Sequence, residues 1–79
     1  MQALDVKRHL ESQLADTQVE VEGEGCNFTL NLISDELAAL RPVQRQQRVY
    51  AQLNHWIADG SMHAVTMNFF SRAAWAERN

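Results

Sequence analysis

Met62-His63-Ala64-Val65-Thr66-Met67-Asn68-Phe69-Phe70-Ser71-Arg72-Ala73-Ala74-Trp75 is the stretch on which the fold turns. His63, Val65, Met67 and Phe69 share one parity, and Ala64, Thr66 and Asn68 share the other. That period of two predicts a strand with one apolar face. Ser71 ends the alternation and is placed to cap a last short helix carrying Trp75.

Upstream of this strand the period is helical. Pro42 suits the first position of a helix over residues 42–59, and Val43, Val49, Tyr50, Leu53, Trp56 and Ile57 form its apolar stripe. Gly60 follows where a left-handed residue closes a helix. Ser34 is a cap for a shorter helical turn reaching Leu40, with Asp35 and Glu36 at its positive end. Two alternating runs, over residues 17–22 and 27–33, flank Gly23-Glu24-Gly25. They predict a β-hairpin with Cys26 at or beside its loop. Ala3, Val6, Leu10 and Leu14 predict an amphipathic helix of about three turns at the start.

The resulting order, α-β-β-α-α-β-α, places the chain in the α+β class. Strands with a single apolar face need helices on that face. The hairpin makes an antiparallel pair, and the helical connection permits a right-handed parallel crossover to the last strand. The expectation is a three-stranded mixed sheet with helices on one face, a type II KH-like arrangement.

At 79 residues the chain suits one domain, residues 1–79, without repeats or linkers. No apolar run approaches the roughly 20 residues that span a bilayer. The N-terminus lacks an apolar signal-peptide core, so a cytoplasmic, membrane-free monomer is the expectation. The lone cysteine, Cys26, has no partner for an internal disulfide. Without a Cys-x-x-Cys pair, a self-contained zinc or iron–sulfur site is not expected. A net charge of −3 argues against strong non-specific binding to nucleic acid, because phosphate neutralisation supplies most of that affinity.

Several of these segments together carry a family likeness. They are Arg45-Gln46-Gln47-Arg48-Val49-Tyr50, His63-Ala64-Val65, Ser71-Arg72-Ala73-Ala74-Trp75 and the loop Gly23-Glu24-Gly25-Cys26-Asn27-Phe28. In their order and spacing the chain resembles the BolA family, and within it the IbaG-like bacterial branch, where a double glutamine also precedes the Val-Tyr pair. The likeness spans nearly the whole chain, although no single motif in it is as specific as a four-cysteine signature.

The resemblance implies the KH-like fold and a non-enzymatic accessory role. A BolA protein is implied to bind a monothiol glutaredoxin and to help hold, regulate or transfer a shared [2Fe–2S] cluster. The histidine that opens the last strand is a ligand in that arrangement, and here it is His63. A second ligand comes in many members from the hairpin loop, where Cys26 is the thiolate candidate. The glutaredoxin thiolate and glutathione would complete the site, and the isolated chain is expected to carry no cofactor. The resemblance also implies a role in stress response. The chain departs from the family pattern at Gln46 and Gln47, where many members have His-Arg, and at Ala39, where a glycine is usual. It departs again at Ser71-Arg72 in place of Thr-Pro, and at Asn27, where related members have a loop histidine.

Each candidate has an ordinary structural reading beside the functional one. His63 shares parity with the apolar face, so a half-buried histidine bonded to a carbonyl is its alternative. Cys26 is equally a small residue packed in a turn. Arg41, Arg45 and Arg48 recur at four and three residues and would form one basic stripe on a helix. That stripe suits an acidic partner, a glutathione carboxylate or nucleic-acid phosphates, or is simply a solvated face. A KH domain grips RNA through a Gly-x-x-Gly loop, and the nearest stretch here is Ala38-Ala39-Leu40-Arg41. Only weak DNA binding is expected, as the basis of a rival reading as a nucleic-acid-binding regulator. A metal-free interaction module is the third reading. Tyr50, Trp56 and Trp75 are expected in the core or at its edge, and His9 and His55 on the surface. No nucleophile–base pair or phosphate-binding loop is present.

Overall fold

The computed structural model describes residues 1–78 (for Glu24, the backbone). Its first helix, α1, runs over Ala3–Gln13 and buries Val6 and Leu10 completely. Strand β1, Gln18–Glu24, and strand β2, Asn27–Ile33, pair antiparallel from Gln18↔Ile33 to Glu24↔Asn27. Ser34 Oγ accepts the Leu37 N–H at 3.1 Å and starts the short helix α2, Asp35–Ala39. Helix α3, Pro42–Ala58, then carries the chain to β3, Ala64–Phe70. β3 lies parallel to β2, from Asn27↔Ala64 to Ile33↔Phe70. The sheet order is β1-β2-β3, so β3 lies at an edge. Helix α4, Arg72–Glu77, is capped by Ser71 Oγ, which accepts the Ala74 N–H at 3.1 Å.

The mixed three-stranded sheet and the element order are those expected, but the hairpin turn lies further along than the glycine cluster suggested. β1 continues through Gly23 and Glu24, and the turn consists of Gly25 and Cys26. The two glycines have separate tasks. Gly23, at φ +111°, lies so close to β2 that a Cβ would stand 2.3 Å from the Asn27 carbonyl oxygen. Gly25, at φ +68°, has open space around it and supplies the first central position of the turn, where a two-residue hairpin favours glycine.

The core lies between α1, α3 and one face of the sheet, around Val19, Leu30, Leu32, Val49, Leu53 and Met62, each 0 % exposed. The apolar stripe of α3 is narrower than the sequence suggested. Val49 and Leu53 are buried and Trp56 half-buried, whereas Val43, Tyr50 and Ile57 are exposed. Positions 49, 53 and 56 make the inward arc of a 3.6-residue period, and positions 43, 50 and 57 repeat every seven residues on another arc. His9 and His55 are not isolated surface residues. The His9 ring lies edge-on to Trp56 at 4.8 Å, His55 tilts over the same ring at 4.5 Å, and His9 Nε2 donates to the Gln52 carbonyl at 2.9 Å. Trp75 sits edge-on to Phe70 at 5.1 Å, with the Arg78 guanidinium 3.6 Å from the Trp75 ring centre.

At Val19 the outer edge of β1 is capped by side chains. Glu11 Oε2 accepts the Val19 N–H at 2.9 Å, and Lys7 Nζ donates to the Val19 carbonyl at 2.7 Å. Lys7 also reaches Glu20 at 2.9 Å and Glu11 at 3.2 Å. The hydrogen bond to Glu20 raises the Lys7 pKa, and the same bond lowers that of Glu20, in each case against the opposing effect of partial burial.

Candidate functional site

The loop between α3 and β3 is built by four residues with distinct jobs. Asp59 caps α3, and its Oδ1 accepts the Ser61 N–H at 2.8 Å, the side-chain-to-backbone bond of an Asx turn. Hydrogen bonding from Ser61, chiefly through its side chain, lowers the Asp59 pKa. Gly60 adopts φ +82° and donates to the Ile57 carbonyl at 3.3 Å. Met62 then buries its side chain completely in the core. With Met62 turned inward, the next side chain along, His63, is exposed.

His63 lies one residue before β3 and is not an inward member of the strand. The half-buried reading is thereby corrected: parity counted from inside the strand does not extend through the loop junction. Its main chain is firmly held. The Cys26 carbonyl accepts the N–H groups of both His63, at 2.8 Å, and Ala64, at 3.2 Å. Cys26 is half-buried in the β1–β2 turn, and its thiol lies 3.9 Å from the Gly60 carbonyl oxygen. An ideal Cβ on Gly60 would stand 3.8 Å from His63 Nε2. One imidazole and one thiol, distant in sequence, therefore both lie near Gly60 at one end of the sheet. Gly60 is the participant that sequence reasoning assigned only to helix termination. Its signal was the need for a left-handed backbone, which says nothing about what the residue approaches.

The donor set is mixed nitrogen and sulfur, the kind that suits iron and zinc. Among the described residues no group of three His, Cys, Asp or Glu side chains is positioned to hold a metal ion. His63 and Cys26 are therefore two donors of this kind at one end of the sheet, fewer than the four a self-contained site takes. Asn27, the first residue of β2, is exposed beside the turn. A cleft of about 590 Å³ lies at the opposite end of the sheet, lined by residues including Asp16, Gln18, Ile33 and Arg72, and takes no part in this arrangement.

The three arginines do not form one free stripe. Arg41 occupies the N-cap of α3 with extended backbone, so helical spacing does not align it with the others. Arg45 is half-buried, its guanidinium 4.8 Å from the Phe69 ring centre and Nη1 donating to the Ala38 carbonyl at 3.5 Å. Its Nε is buried without a hydrogen-bond partner. Arg48 pairs with Glu36 of α2 at 2.7 Å, both side chains remaining largely exposed. Among the described residues no helix is long and apolar enough to cross a membrane.

The same architecture recurs in solved structures. A BolA homologue from Coxiella burnetii superposes with a TM-score of 0.79 at 19% identity, covering 98% of this chain and 99% of that one. The BolA domain of SufE1 from Arabidopsis thaliana gives 0.74 at 21% identity, covering 90% and 92%. Sequence relatives are closer. An uncharacterised protein of the rpoN-murA intergenic region in Acinetobacter guillouiae is 39% identical over 66 residues, 84% of this chain and 80% of that protein. The acid stress protein IbaG of Escherichia coli K12 is 30% identical over 76 residues, 96% of this chain and 90% of that protein. The family model for BolA-like proteins matches residues 2–73, which takes in α1, the hairpin, both middle helices and β3 with the His63–Cys26 junction. With fold, sequence and family model in agreement, the chain belongs to the BolA family.

Proposed function

We propose that this chain is a cytoplasmic, single-domain accessory protein that binds a monothiol glutaredoxin and helps hold, regulate or pass on a shared [2Fe–2S] cluster. The observation that carries the reading is the junction at the sheet end, where the exposed His63 and the turn residue Cys26 are tied together through the Cys26 carbonyl. His63 is the first ligand and Cys26 the candidate second, with the glutaredoxin thiolate and glutathione completing the set. When bound, the cluster supplies redox and iron-transfer chemistry. This chain's own residues present the imidazole, shape the turn and fix the distance between the two. The name of the E. coli relative supports a setting in acid or general stress.

The nucleic-acid reading has less to draw on. Of the three arginines, one is engaged by Glu36 and one lies against Phe69, and the whole chain is negative. DNA affinity at physiological salt is expected well short of the roughly 10⁻⁸ M of specific recognition.

The test is a visible absorption and circular dichroism titration against a cluster-loaded monothiol glutaredoxin. Wild-type protein should change the cluster spectrum, and His63→Ala should abolish or strongly alter that change while docking persists. Cys26→Ser then assigns or removes the second ligand. A His63→Ala spectrum indistinguishable from wild type removes His63 from the site.

A further inference from the structure

The two edges of the sheet are treated differently. At β1 both outward backbone groups of Val19 are satisfied by Glu11 and Lys7. At β3, every hydrogen bond among the described residues comes from β2 or from its flanks Cys26 and Ser34, so the outer row of N–H and C=O groups is free. No residue of β3 is buried, although Val65, Met67, Phe69 and Phe70 are apolar and only half-covered. Natural proteins blunt such edges with charge, proline or bulges. Residues 60–71 contain no Asp, Glu, Lys, Arg or Pro, and β3 pairs with β2 without a bulge.

We propose that this edge pairs with the β3 of a second copy of the chain, antiparallel about Met67, to make a continuous six-stranded sheet. The strand is self-complementary in that register. A two-fold axis at Met67 sets Val65 opposite Phe69 of the other copy and Met67 opposite Met67, all on the core side. It sets Ala64 opposite Phe70 and Thr66 opposite Asn68 on the other side. Apolar side chains meet apolar ones, Thr meets Asn, and no like charges face each other, although each copy carries a net charge of −3. An isologous contact of this kind closes on itself and consumes both free edges. A seven-residue strand spans about 23 Å, so the paired area lies at the low end of specific interfaces, near or below about 1,200 Å². The dimer is accordingly a high-concentration form, and the monomer expected from the sequence is the dilute one. The proposal stands independently of the cluster reading.

Sedimentation equilibrium from micromolar to near-millimolar concentration tests it, with two charge variants at the exposed positions Thr66 and Asn68. T66K/N68K and T66E/N68E place like charges across the two-fold, so each alone should stay monomeric, and an equimolar mixture should form the heterodimer. A wild type that remains monomeric throughout overturns the proposal, as does a dimer that persists in both variants. In mixed samples of labelled and unlabelled wild type, intermolecular nuclear Overhauser contacts between Thr66 and Asn68 confirm the register. Contacts confined to Val43, Tyr50 and Ile57 would refute it.

Discussion

Gly23 and Gly25 stand two residues apart with the same side chain and opposite constraints. Gly23 has a backbone oxygen where its Cβ would go, at 2.3 Å, and a φ of +111°. Gly25 has positive φ but nothing within 4 Å. Gly25→Ala should therefore cost only the left-handed penalty, about 1–2 kcal/mol. Gly23→Ala must also push apart two paired strands and should cost more, on the order of 3 kcal/mol or above. Urea unfolding of the two variants checks the ranking, and equal losses would show that β1 and β2 do not approach as described. The same pair shows where sequence reasoning stops. A glycine cluster marks a turn, but which glycine turns and which admits a neighbouring strand depends on space that only the paired strands define. The arginines teach a similar lesson. Spacing puts Arg45 and Arg48 on one helix, but Glu36 and Phe69, which engage them, come from other elements.

At the scale of elements, the attachment of α1 to β1 is electrostatic as well as apolar. Lys7 bridges Glu11, Glu20 and the Val19 carbonyl. The folded-state pKa of Glu20 is lowered, so its contribution is present above the unfolded carboxylate value and is lost as pH falls through the folded one. That of Lys7 is raised, so its contribution is present below the unfolded amine value and is lost as pH rises through the folded one. The clasp should therefore stabilise across a plateau from about pH 5 to about pH 10. Lys7→Met should lower stability there by no more than about 1 kcal/mol, since the groups are a third exposed. The difference from wild type should close at both ends, as read from denaturant midpoints against pH. A gap that persists unchanged at pH 2 would assign the loss to packing. Element types were legible because periods of two and 3.6 residues are set by backbone geometry. The capping of β1 at Val19 was not, because Lys7 and Glu11 read simply as the wet face of a helix until a strand edge lies beside them.

At the scale of the whole molecule, one small core does most of the stabilising. A 79-residue chain of ordinary stability has about 4–12 kcal/mol to lose. Leu30, fully buried on the central strand, faces that core, and Leu30→Ala should remove about 2–5 kcal/mol. The Tm should then fall by roughly 8 °C or more, which a thermal melt by circular dichroism will show; a shift of only a degree or two would mean that the core is anchored elsewhere. Such a narrow margin gives the His63–Cys26 junction a further meaning. The two residues are far apart in the sequence and meet only through a turn carbonyl holding the entry to β3. An unfolded chain does not possess the junction at all. Any partner that engages both side chains therefore captures folded molecules only, adding about 2.7 kcal/mol to apparent stability at a hundred times its dissociation constant. Proteolytic turnover in the cell would then fall on unliganded copies, and the steady-state amount of this protein would follow the supply of its partner.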